Sequence, residues 1–141
     1  MSDFNPASFM TEEQTIENAT EFTPIPPNDY EAVIKDVKPD VTPNGKPVLA
    51  VSWLIDSQEV RDFTGMDEPT CRQTIWLDLD EAGKLAGGMN KNVGLGKLRA
   101  ALNQNTGAPW SPSMLVGQPA LVHVELDRTG QYSNVTQVTS L

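Results

Sequence analysis

From Val48 to Ile55 every second residue is large and apolar (Leu49, Val51, Trp53 and Ile55), and the residues between them are smaller. A period of two commits the segment to a β-strand with one buried face, because successive strand side chains point to opposite sides. Such a strand needs partners of the same pattern, and the chain supplies them. Tyr30 to Val37 alternates with Tyr30, Ala32 and Ile34 facing in. Val37 then falls on the other parity, which calls for a bulge or bend near Lys35-Asp36. Pro39 is expected to end that strand. Asn44-Gly45 is a hairpin signal, since both residues tolerate positive φ. A third strand is expected from Arg72 to Leu79, with Ile75, Leu77 and Leu79 inward and Thr74, Trp76 and Asp78 outward. Ala120 to Leu126 alternates with Val122, Val124 and Leu126 inward. Asp127 to Gly130 turn the chain, and Tyr132 to Thr139 returns it.

One segment breaks this period. Between Asn92 and Asn105, Leu95, Leu98 and Leu102 recur at i, i+3 and i+7 beside Ala101, a helical stripe with Asn92 as its N-cap. Asp56 to Thr70 reads as a polar loop. The order is therefore three strands, a helix and two strands, which is the order of the OB-fold, a partly open five-stranded Greek-key barrel. The bend in the first strand fits, because in a small barrel that strand serves two parts of the sheet. A five-stranded sandwich with one covering helix shares most of this pattern. The expected fold class is all-β: a five-stranded OB-like barrel, residues 29–141, with one α-helix between strands 3 and 4.

Ahead of it, residues 1–28 read as an extended, flexible acidic arm. Apolar residues are sparse there, and Pro24-Ile25-Pro26-Pro27 holds the end extended. A weak helix is expected at Thr11 to Ala19, with Thr11 as cap and acids in its first turn. The arm reads as a solvated tail, or as a docking segment anchored by Phe4, Phe9, Ile16 and Phe22. The formal net charge is −9, from nineteen acids against ten bases; five acids and no base lie in residues 1–28, leaving fourteen against ten, or −4, for the rest. An acidic surface repels phosphate, so any nucleic-acid site must depend on local clustering of the bases. The 141 residues suit one domain. No apolar run approaches the roughly 18 residues of a membrane helix, and the first residues lack a secretory pattern. Cys71 is the single cysteine, which fits a reducing compartment such as a cytoplasm.

Catalysis has little to work with. His123 is expected on an outer face beside Glu125, with no nucleophile motif around it. One histidine and one cysteine are too few for a structural zinc site. Gly94-Leu95-Gly96-Lys97 fails the phosphate-loop pattern, which needs a glycine where Lys91 stands and a Ser or Thr where Leu98 stands; its glycines read as allowing close approach of the helix to the barrel. Asp78, Asp80 and Glu81 offer oxygen ligands for a hard cation, but read as a solvated strand end. No enzyme activity, metal or cofactor is expected.

Aromatic and basic residues carry more. OB barrels hold single strands by stacking bases on aromatic side chains of the second and third strands while cations track the phosphates. Trp76 has the outward parity for this. Lys35, Lys38 and Lys46 lie on the first strand and the loop after it, and Arg61 and Arg72 flank the loop entering the third strand. Trp53 shares parity with the core, Trp110 between Pro109 and Ser111 caps a barrel end, and Tyr132 packs inward or out.

Phe22-Thr23-Pro24-Ile25-Pro26 followed by Asp29-Tyr30-Glu31-Ala32-Val33-Ile34 resembles the opening of small phage-encoded OB-fold single-stranded DNA-binding proteins. Asn44-Gly45-Lys46 with Leu49-Ala50-Val51-Ser52-Trp53 is similar to their second strand. Leu115-Val116-Gly117, Val122-His123-Val124 and Gly130-Gln131-Tyr132-Ser133-Asn134-Val135 are similar to their closing hairpin. Two departures stand out: Asn28-Asp29 where a glycine is usual, and no acidic tail over Val135 to Leu141. The resemblance implies a protein that coats single-stranded DNA without sequence preference during phage replication or recombination. Homo-oligomers and replication or recombination proteins, the latter met through the acidic arm, are the implied partners, and no membrane. The rival expectation is a structural protein of a phage assembly that docks through its arm.

Overall fold

A computed structural model describes residues 4–141; Met1, Ser2 and Asp3, the first of the residues read as an arm, lie outside the described residues. Five strands form a closed barrel: β1 (Asn28–Val41), β2 (Pro47–Ile55), β3 (Thr70–Trp76), β4 (Pro119–Leu126) and β5 (Ser133–Thr139). Their order around the barrel is β1-β2-β3-β5-β4. A helix, α3 (Val93–Ala101), lies between β3 and β4 in sequence. The fold is thus all-β and OB-like, as expected, and not the alternative sandwich. Among the described residues no helix is long and apolar enough to cross a membrane.

The barrel closes because β1 serves two neighbours. Its first half, Asn28 to Val33, pairs antiparallel with β4, and Ala32 to Val41 pairs with β2. The register shifts between Ile34 and Asp36, so Lys35 is the extra residue of a bulge that turns the strand from one partner to the other. The expected bend is there. Pro39 does not end the strand, however, and pairs with Leu49 two residues short of the terminus. By then β1 has lost its β4 neighbour, and a proline without an N–H is tolerated along an unpaired edge. Between β3 and β5 the closure is slight, a single parallel pair of Arg72 with Asn134.

Leu49, Val51, Trp53 and Ile55 of β2 are all buried, with Trp53 fully enclosed and its indole N–H donated to Gln73 Oε1 at 2.8 Å. From α3, Leu95 and Leu98 close one end of the core, while Leu102 is half-buried past the helix end. Cys71 is buried and burial pushes its thiol up to about 12, so it is inert at neutral pH. Leu79 and Leu126, expected inward, are exposed because each lies where its strand leaves the barrel.

Three local elements differ from expectation. The polar loop after β2 contains a helix, α2 (Gln58–Thr64), capped by Ser57, whose Oγ accepts from Val60 N–H, and ended by Gly65 at φ 71°. Its one buried residue, Val60, pins it to the core. Residues 11–19 are not helical; a single turn, α1 (Pro6–Phe9), forms earlier, capped by Asn5. Finally, Ile25 is 2% exposed and joins the core cluster. Ser133 Oγ donates to Ile25 O at 2.8 Å and Tyr30 Oη to Pro26 O at 2.7 Å, so the barrel's packing begins inside the proline-rich segment.

Candidate nucleic-acid interface

The outward faces of β1, β2 and β3 form a grid fixed by strand register. One row is Asp40, Val48 and Trp76; the next is Lys38, Ala50 and Thr74; the third is Asp36, Ser52 and Arg72. Strands lie about 4.8 Å apart and same-face residues about 6.6 Å along a strand, so Trp76 and Arg72 stand about 13 Å apart on β3. The β2 column between them is small. Ala50 and Ser52, small and half-buried, give a shallow floor, while Val48 at the Trp76 end is covered.

Trp76 is 58% exposed on this face. Lys46 leaves the β1–β2 hairpin beside it, its Nζ 6.0 Å from the indole centroid. The hairpin is held by Thr42, whose backbone N–H donates to Lys46 O at 2.9 Å and whose Oγ1 accepts from Lys46 N–H at 3.1 Å. Gly45 makes the tight turn with φ 81°. At the other end of β3, Arg72 borders a groove of about 510 Å³ that runs under the β4–β5 loop and the arm root. Among the described residues neither Lys46 nor Arg72 is in an ion pair.

The remaining predicted cations are otherwise engaged. Lys35, on the bulge, pairs with Glu68 at 3.0 Å, and Lys38 lies 3.9 Å from Asp36. Arg61 projects from α2, 3.6 Å from Asp56, and its Nε donates to Asp67 O at 3.1 Å, so it ties the α2 loop together. The structure therefore brings Trp76, Lys46, Lys38 and Arg72 onto one face, and places Lys35 and Arg61 in local ion pairs at its margin. Tyr132, left undecided by parity, is 60% exposed beside the groove. Its position just outside β5, after the Asp127–Gly130 turn, is the signal that would have found it.

No protein-family model and no curated protein matches the chain.

Other sequence features resolve into structure. Asp78 and Asn92 clasp each other: Asn92 Oδ1 accepts from Asp78 N–H and Asp78 Oδ2 accepts from Asn92 N–H, both at 2.8 Å. Asn92 occupies the cap position of α3 with φ 52°, yet its side chain ties the helix to the β3 exit and makes no cap bond. Asp80 Oδ1 accepts from the N–H groups of Ala82 and Lys84 in a turn. Among the described residues no group of three or more His, Cys, Asp or Glu is placed for a metal. Gly94 and Gly96 are not needed for close approach: a Cβ on Gly94 would meet Ile75 at 3.7 Å, ordinary contact, and one on Gly96 would meet nothing. Trp110 stacks under Arg99, whose Cζ is 4.1 Å from the ring centroid, and donates to Gln104 Oε1.

His123 faces outward, its Nδ1 2.7 Å from Asp29 Oδ1 and its Nε2 3.5 Å from Glu125 Oε1; its β5 partner Gln137 is uncharged. The hydrogen bond to Asp29 raises its pKa, exposure to two carboxylates adds to the rise, and partial burial opposes it. A raised folded value means that this pair's stabilisation is full below the unfolded value of about 6.5 and is lost as pH climbs through the folded one. Thermal midpoints measured across that window should fall more steeply with rising pH in the wild type than in Asp29→Asn.

Proposed function

We propose that the barrel binds single-stranded DNA without sequence preference, in support of phage replication or recombination in a host cytoplasm. The observation that carries this reading is the exposed Trp76 with Lys46 above it and Arg72 along the same strand, on a floor of small side chains. An aromatic face accepts any base, whereas cations on either side follow the backbone. Five of the nineteen acids belong to the arm, but the rest still carries −4 and Asp36 and Asp40 share the face, so binding must rest on Lys46 and Arg72 against an acidic surround. Cooperative packing along the strand is the norm for such binders, so homo-oligomers on DNA belong to the same proposal.

The test is fluorescence anisotropy of labelled oligo-dT with the full chain. Two to three phosphate contacts give a log–log salt slope of about −1.4 to −2.1, hence a loss of about 7- to 20-fold between roughly 50 and 200 mM salt. Absence of binding at the lower salt would overturn the reading.

The arm supports a second one, docking onto an assembly or a replication protein. Phe4 and Phe9 pair with ring centroids 5.5 Å apart across the single turn that Asn5 caps, and both are exposed. A Phe4→Ala/Phe9→Ala double variant should bind DNA as the wild type does but lose the partner.

A further inference from the structure

We propose that the arm root is part of the binding site: Phe22 and Tyr132 receive an unstacked base in the cleft they line, with its phosphate on the Arg72 side. This deepens the single-strand reading and rests on it.

Phe22 is 86% exposed and Tyr132 60%, and both border open grooves. They line the groove of about 510 Å³ that holds Arg72, and also an adjoining one of about 360 Å³ shared with Thr20, Glu21 and Gln131. The smaller cleft exceeds ten times the roughly 30 Å³ share of a water in the liquid, so a planar base has room. Among the described residues the aromatic pair in contact is Phe4 with Phe9, so the rings of Phe22 and Tyr132 are not spent on each other.

Both jaws are anchored to the barrel through their backbone before a ligand arrives. Phe22 lies three residues from Ile25, which is buried and bonded through its carbonyl to Ser133, and three residues span at most about 11 Å. Pro24 stiffens that span. Tyr132 is set by Asp127, whose Oδ1 accepts from Thr129 Oγ1 at 2.7 Å and from Tyr132 N–H at 3.4 Å, while Asp127 N–H donates to Tyr132 O at 2.8 Å. These bonds hold the Asp127 carboxyl below its usual range, so it is committed to the loop as an anion. A fixed aromatic left in water gains more from stacking than a mobile one, because less ordering remains to be done.

Charge orients the ligand. Among the described residues Arg72 is the one cation lining the larger groove, which also holds the loop-committed Asp127 carboxylate, and Glu21 lines the smaller cleft. Phosphate is drawn to the Arg72 end and repelled by Glu21, which leaves the neutral base to enter between the aromatic side chains.

The experiment is anisotropy of labelled oligo-dT with full-length wild type, Phe22→Ala, Phe22→Trp, Tyr132→Ala and Trp76→Ala, with circular dichroism melts alongside. Phe22→Ala and Tyr132→Ala should each weaken binding about 5- to 140-fold without moving the melt, and Phe22→Trp should restore it. Wild-type affinity in Phe22→Ala, with Trp76→Ala weakened, would overturn the clamp and leave the barrel-face reading standing. Loss in Tyr132→Ala alone would remove the arm from the site. No binding by the wild type would overturn both.

Discussion

Ile25→Asp is expected to lower the unfolding free energy by about 4 kcal/mol or more, out of the roughly 5–15 kcal/mol typical of a domain. Ile25 is 2% exposed and packs in the same cluster as Trp53 and Val124. Cutting a buried isoleucine to alanine costs about 2–5 kcal/mol. Aspartate adds a carboxylate where the described core contains no polar or charged side chain to meet it. Displacing residue 25 also strands Ser133 and Tyr30, whose hydroxyls donate to the carbonyls of Ile25 and Pro26. Urea unfolding followed by circular dichroism would measure the loss. Phe22→Ala is the control, expected within about 0.5 kcal/mol of wild type because its side chain is exposed. Equal midpoints for Ile25→Asp and wild type would show that the arm root leaves the barrel at no cost.

Ile25 also marks the limit of what the sequence tells. A single apolar residue among prolines has no period, and its burial depends on the far end of the chain, where Ser133 meets it 108 residues away. The strands were legible because period-two alternation is local: it placed Trp53 inside and Trp76 outside from parity alone, and it put a bulge or bend near Lys35-Asp36. The helix α2 had its signals too, Ser57 ahead of it and Gly65 behind, but with Val60 as its one buried residue there was no stripe to find. The candidate face was harder. Lys35 meets Glu68 across 33 residues, so counting bases along the chain could not separate the engaged cations from Lys46 and Arg72. Whether a cation is available is a property of its three-dimensional neighbours, whereas whether an indole points outward on a strand is not.

Trp76→Ala is expected to weaken oligo-dT binding about 5- to 140-fold at low salt while leaving the unfolding midpoint nearly unchanged. The indole is 58% exposed and its cross-strand partner Val48 lies outside the main core cluster, so its removal uncovers little of that core. What goes is a stacking platform, worth about 1–3 kcal/mol per base, each 1.4 kcal/mol being tenfold in affinity. Lys46 remains and keeps its phosphate contact, so the salt slope should hold at its wild-type value. Lys46→Ala makes the complementary change, reducing the slope by about 0.7 for the one phosphate lost while the platform stays. The pair of variants thus separates stacking from charge on one corner of the barrel. A Trp76→Ala protein that melts early and binds normally would make the indole a packing surface, whereas one that melts normally and binds poorly with an unchanged slope would place a base on its face.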